Sequence, residues 1–230
     1  MENLNEFVVL RSDVRHIIEN IPYTTKKKLL DMIQPLDILV VGTPRIPGLN
    51  RFEKVTGSIS STIQKIIQGS EYNSCKIVSL DKQYIYAYGL DPLFGLQHEE
   101  KRFSKYPLKD YIRIMRNGCL VRVPNLEYDQ KLKMQRYLNS KLGLSYNTSE
   151  VVKIGWNKLI KYLPFLKIDI EAPENKEELI KMKDGLICST IISMAFIYGA
   201  NIKLTENPME VWPNDFISSS ETQKIARIDY

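Results

Sequence analysis

The sequence predicts an α+β domain with a small, largely antiparallel sheet. Two observations carry this reading. Segments with helical spacing and short runs of β-formers are interspersed without regular β-α alternation, and no glycine-rich phosphate loop links a strand to a helix. The chain is also large enough, at 230 residues with 43% apolar side chains, to bury a full core without disulfide staples.

Taken in order, Val14, Ile17, Ile18 and Ile21 recur at helical spacing until Pro22 interrupts them. Thr24 or Thr25 then caps a second helix carrying Leu29, Leu30 and Ile33. "LDILVVG" is a run of β-formers closed by Gly42 and reads as a buried strand. "TPRIPGLNRF" is loop, because two prolines and a glycine break it. A helix begins at Ser58 or Ser60, aligns Ile59, Ile63, Ile66 and Ile67 on one face, and ends at Gly69. "NSCKIVSL" and "QYIYAYG" are two strands with a turn near Asp81 and Lys82. "PLKDYIRIM" is a short helix, "CLVRVP" a strand ended by Pro124, and "NLEYDQKLKMQRYLNSKLG" an exposed helix ended by Gly143. Between 147 and 184 lie apolar groups around Trp156 and Leu163, and "EAPENKEE" reads as a surface loop. The apolar helix from 188 to 199 follows, then "NPMEVWPNDF" and a polar tail.

Composition narrows the function classes. The net charge of +5 favours anionic partners. The one dense basic run, Lys26, Lys27 and Lys28, is not interleaved with aromatics and reads as a solvated helix end, which argues against nucleic acid. Cys75, Cys119 and Cys188 lack C-x-x-C spacing, and with His16 and His98 they make too small a set for a zinc site. Free thiols in a reducing compartment are expected, with no metal and no cofactor. "MENLNEFVVLRSDVRH" lacks the apolar core of a signal peptide. The longest apolar run, Leu186 to Ala200, contains Ser189, Thr190 and Ser193 and is too short for a membrane span, so a buried helix is expected.

Cys188, in "DGLICSTIISMAFIYGA", admits two readings. A free cysteine beside Ile187, Ile191 and Ile192 suits a core helix. Asp184 and Gly185 break the preceding segment, however, and set Cys188 near the first turn, where unpaired N–H groups favour a thiolate.

The order of the segments adds a further reading. "PLDILVVG", "SISSTIQKIIQGSEYNSCKIV", "YIYAYG", "PLKDYI…CLVRVP", "GLSYN", "LICSTIISMAF" and "WPNDF" follow one another along the chain. That succession resembles the circularly permuted papain-like amidases, the YiiX-like branch of the NlpC-type cysteine hydrolases. The resemblance implies a permuted papain-like domain over residues 34–218, its sheet packed on a buried helix that starts at the cysteine. A helical arm over 1–33 and a polar tail over 219–230 lie outside it. It makes Cys188 the nucleophile and Ser189 the serine that commonly follows it. Asp37 takes a structural place before the first strand, and Arg122 that of a strand-edge arginine in a salt bridge. Pro213, Asn214 and Asp215 match a late Pro-x-Asp turn. Tyr86 falls near an orienting position, and Tyr146 matches a G-x-x-Y-D element with Asn147 in place of the aspartate. Together with Trp212, these tyrosines are the expected substrate-groove residues.

One departure shapes the functional expectation. Ser74 stands where the family carries its catalytic histidine, and Cys75 is expected on the opposite side of the strand. Serine does not titrate near neutral pH, so a general base is missing there. His98, in "GLQHEE", is the alternative base, with Glu99 and Glu100 raising its basicity. The expected function is therefore that of a degenerate hydrolase homologue with a binding or structural role. Cytoplasm or virion is its expected place, and other virion proteins or cell-wall material its expected partners. The alternative is an active cysteine amidase or peptidase that cleaves cell-wall peptide or lipidated substrates through Cys188.

Overall fold

The computed structural model describes residues 20–42, 72–88, 102–115, 117–144, 188–209 and 211–228. Six strands occur there: Ile38–Gly42 (β1), Tyr72–Val78 (β2), Tyr84–Tyr88 (β3), Phe103–Pro107 (β4), Gly118–Arg122 (β5) and Gln223–Ile228 (β6). They form one sheet in the order β4-β3-β2-β1-β5-β6, and every pairing is antiparallel. The helices are Lys26–Met32 (α1), Leu108–Ile114 (α2), Tyr128–Ser140 (α3), Cys188–Ala200 (α4) and the single turn Asp215–Ser218 (α5). The protein is thus α+β, as its unordered mixture of helix and strand segments implies.

Apolar side chains fill both faces of the central strands because helices cover both. On one face Ile38, Val40, Cys75, Ile77, Cys119 and Val121 pack with Met134 and Leu138 of α3 and with Ile191, Ile192 and Phe196 of α4. On the other, Leu39, Val41, Val78 and Leu120 pack with Leu29 of α1 and with Tyr111 and Ile112 of α2. Strand alternation sends successive residues to opposite layers, so a strand sandwiched in this way is apolar throughout. Every residue of β1 is buried accordingly. Helix α4 lies so close to α3 that a Cβ on Gly199 would fall 2.7 Å from the backbone nitrogen of Met134.

The described parts of the expected arm and tail, residues 20–33 and 219–228, both join the sheet. Residues 223–228 form edge strand β6, with Ala226 and Ile228 turned into the core between polar neighbours. Six polar or charged residues, Ser219 to Lys224, precede Ile225, and they conceal that alternation. At the other end, Leu29 and Ile33 are buried under the sheet. Arg227 donates its N–H to Pro22 O at 2.8 Å, and Thr24 donates to Arg227 O at 2.9 Å. Strand β4 was not anticipated either. It forms because Phe103 and Tyr106 are buried beside β3, and Leu144 accepts the Phe103 N–H at 2.8 Å. The expected loop over 43–52, the helix from Ser58 or Ser60, and the segment 147–184 lie outside the described residues.

A buried ion pair fixes the start of β1. Arg122 donates from Nε to Asp37 Oδ1 and from Nη2 to Asp37 Oδ2, both at 2.7 Å, and Nη2 also reaches Met32 O at 2.8 Å. The Gln34 N–H completes the carboxylate's shell at 2.8 Å. Burial pushes the Asp37 carboxyl up, and the hydrogen bonds from Arg122 and Gln34 pull it back. These are the structural roles expected of Asp37 and Arg122. Among the described residues, no helix is long and apolar enough to cross a membrane.

Candidate active site

Helix α4 begins at Cys188, which is 7% exposed. Its first turn is tied down by side chains. Ser189 Oγ donates to Val211 O at 2.5 Å, and Thr190 Oγ1 donates to Met209 O at 3.5 Å. The segment that receives these bonds is braced in turn, since Asp215 Oδ2 accepts the Trp212 N–H at 2.8 Å. The late Pro-x-Asp element therefore supports the stretch that anchors the cysteine-bearing turn.

Strand β2 supplies the surroundings of the sulfur. Ser74 and Cys75 lie opposite Val41 and Val40 of β1, and β2 pairs with β3 at Ile77↔Tyr86 and Val78↔Ile85. The Cys188 Sγ is 3.9 Å from Ser74 Oγ, and the Cys75 thiol and backbone N–H both hydrogen-bond it. A sulfur that meets the side chains of two successive strand residues, and a backbone N–H between them, lies at the edge of the strand rather than over one face. Cys75 was expected to point away from Ser74 and from the site. It does alternate with Ser74, yet it shares the buried cluster of Cys188.

Lys76 is the residue that the sequence reading passed over. It is 4% exposed, and its Nζ donates to Ser74 Oγ at 2.7 Å, two residues along the same side of β2. Because its strand is covered on both faces, a lysine between Cys75 and Ile77 needs a polar partner in the interior. Serine and lysine thus form a hydrogen-bonded pair whose hydroxyl end faces the Cys188 sulfur.

The electrostatics follow from this packing. The Cys188 thiol is lowered to about 5, first by the hydrogen bond from Cys75, then by Lys76, the Cys75 backbone N–H and Ser74, all working against burial. Cys75 moves the other way: burial and then the adjacent Cys188 hold its proton in place. The two thiols titrate as one pair, with the anion on Cys188 and the donor proton on Cys75. Tyr111, on α2, stays a phenol because burial and then the neighbouring Cys188 push its pKa up.

Of the expected groove residues, the structure places two in the interior. Tyr86 is fully buried, stacks on Phe103 at 5.8 Å, and donates its hydroxyl to Asn139 Oδ1 at 2.6 Å while Gln135 donates to it. Its phenol anchors α3 to the sheet and does not wall a groove. Trp212 is buried as well, at 3% exposure. Tyr146 and His98 lie outside the described residues, as does His16. Among the described residues no cluster of His, Cys, Asp and Glu has the geometry of a metal site.

What this arrangement can do is limited and specific. It holds a sulfur anion at the start of a helix, supplies it with hydrogen-bond donors, and sets a cation one hydroxyl away. A scan against protein-family models finds none that matches the chain, and a search of curated proteins finds no relative.

Proposed function

We propose that the chain is a permuted papain-like cysteine hydrolase homologue that retains a working nucleophile, and that it acts on ester or amide bonds through Cys188. The observation that carries this reading is the setting of the Cys188 sulfur at the head of α4, 3.9 Å from Ser74 Oγ and hydrogen-bonded by Cys75, with the Lys76 ammonium one hydroxyl away. A core cysteine of purely structural role has no need of this shell, and burial alone would raise its pKa. Attack by the thiolate on a carbonyl would form a thioester, and water would then release the acyl group. The order of elements around the site is also in keeping with the permuted papain-like arrangement: a strand entered beside Asp37, a strand bearing the partner position, and a late helix headed by the cysteine.

The test is direct. Exposed to 4-nitrophenyl acetate, the protein is expected to gain one acetyl group on Cys188 by intact-mass and peptide analysis, and Cys188→Ala to gain none there. An unmodified Cys188, with nitrophenol release equal in the two proteins, would sink the reading.

A second reading keeps the fold and gives up the chemistry. Ser74 at the histidine position favours it, because a hydroxyl alone is no base. The domain would then serve as a binding or structural part, with virion proteins or cell-wall material as partners. It is the reading left standing if Cys188 is inert.

A further inference from the structure

We propose that Lys76 is the proton source and sink for acyl transfer at Cys188, acting through the Ser74 hydroxyl. The inference rests on the reading of Cys188 as nucleophile and assigns the task that a histidine performs in a cysteine hydrolase.

The geometry carries it. Lys76 Nζ donates to Ser74 Oγ at 2.7 Å, so the Ser74 oxygen has an N–H behind it and its own proton to give. That hydroxyl lies 3.9 Å from the Cys188 sulfur, which is where the leaving group of an acyl substrate would depart. Ser74 is half-buried, whereas Lys76 is 4% exposed. The lysine therefore stands behind the serine, and the serine is the group able to touch substrate.

The steps balance. The Cys188 thiolate attacks the ester carbonyl, and a C–S bond forms as the carbonyl oxygen takes the electron pair. Collapse breaks the C–O bond. The departing alkoxide takes the Ser74 proton, and Ser74 is reprotonated by Lys76, which becomes a neutral amine. In the second half, water attacks the thioester and gives its proton through Ser74 to Lys76. The C–S bond breaks and the thiolate leaves without needing a proton. The sum is ester plus water giving acid plus alcohol, with Lys76 again an ammonium. The step is written for an ester, whose departing alcohol carries away the Ser74 proton.

A purely electrostatic lysine would support the thiolate without moving a proton, and leaving-group dependence separates the two roles. Acylation of Cys188 is followed by intact mass in a single turnover, using acetate esters of 4-nitrophenol, phenol and trifluoroethanol, leaving groups of rising basicity. Lys76→Arg keeps the charge and does not give up its proton. Its loss relative to the unaltered protein is expected to grow along the series, from about 3-fold to about 100-fold, the lower range of what a proton-transfer group contributes. Ser74→Ala, which leaves Lys76 in place, is expected to show the same trend and decides the matter if Lys76→Arg fails to melt as a folded protein. Equal loss across the three esters, or none, overturns the relay and leaves Cys188 a nucleophile. If the unaltered protein forms no acyl adduct with any ester, the nucleophile reading falls and this inference with it.

Discussion

Two buried charged clusters sit at opposite ends of β1, and they are built to opposite purposes. At its start, Asp37 receives two hydrogen bonds from Arg122 and a third from Gln34, and Arg122 spends a further N–H on Met32 O. Opposite its far end, where Ser74 pairs with Val41, the Cys188 anion has a 3.9 Å contact to Ser74 and a share of the Cys75 donors, while Lys76 donates to Ser74. The first cluster is saturated by short, planar, charge-assisted bonds, the kind that fix geometry. The second holds its anion loosely, with a soft acceptor and a cation kept one atom away. A carboxylate so held is fixed by its partners, whereas a thiolate so held keeps lone pairs for a substrate.

The largest way to break this comparison is at the sulfur. The anion is the reactive form, so a thiol lowered to about 5 is alkylated at full rate across the neutral range and slows only as pH falls through about 5. Iodoacetamide labelling mapped by peptide mass should therefore find Cys188 modified at pH 6, with Cys75 and Cys119 protected. Lys76→Met is expected to move the midpoint of that profile upward, because one of the influences lowering the Cys188 pKa is removed; an unmoved midpoint would mean that Lys76 contributes nothing to the thiolate.

At the other end the readout is stability. Arg122→Met leaves Asp37 buried without its cation and should lower unfolding free energy by about 3–5 kcal/mol in a urea titration. Replacing both partners by apolar residues of similar size should recover most of that loss, and neither change is expected to alter the labelling of Cys188. Between the ends, Gly199→Ala forces a Cβ against the Met134 backbone and should cost about 1–3 kcal/mol by overpacking. It moves α4 without touching the thiol, so altered labelling in that variant would show that helix position tunes the site. Smallest is Thr25→Ala. It removes the hydroxyl that accepts the Lys28 N–H at 3.4 Å at the start of α1, worth about 0.5 kcal/mol in thermal melts.

Legibility followed burial. β1 and β5 were plain in the sequence because helices cover them on both sides and leave apolar runs. The helix from Cys188 was plain for the same reason, and Thr25 and Gly143 marked helix ends through hydrogen bonding and a positive φ. β4 and β6 are the outermost strands of the sheet, and polar residues interrupt their patterns, so neither was visible. In the candidate site, Cys188 and Ser74 were found by position along the chain. Lys76 was missed because a lysine in a strand reads as a solvent-facing residue until both faces of that strand are known to be covered. Tyr86 and Trp212 were placed in a groove because an aromatic ring suits a groove or a core equally well, and composition does not separate the two.

The joining of residues 22–24 to Arg227 has a consequence for how the sheet comes into being. Strand β6 docks on β5 about a hundred positions earlier in the chain, and its outer edge is then sealed by a segment from near position 24. Contacts of such long reach form slowly, because the intervening chain must first surrender its freedom. During synthesis the sheet therefore stays open on the β5 side until residues 223–228 have been made, and that open side is a part of the molecule in need of protection from self-association.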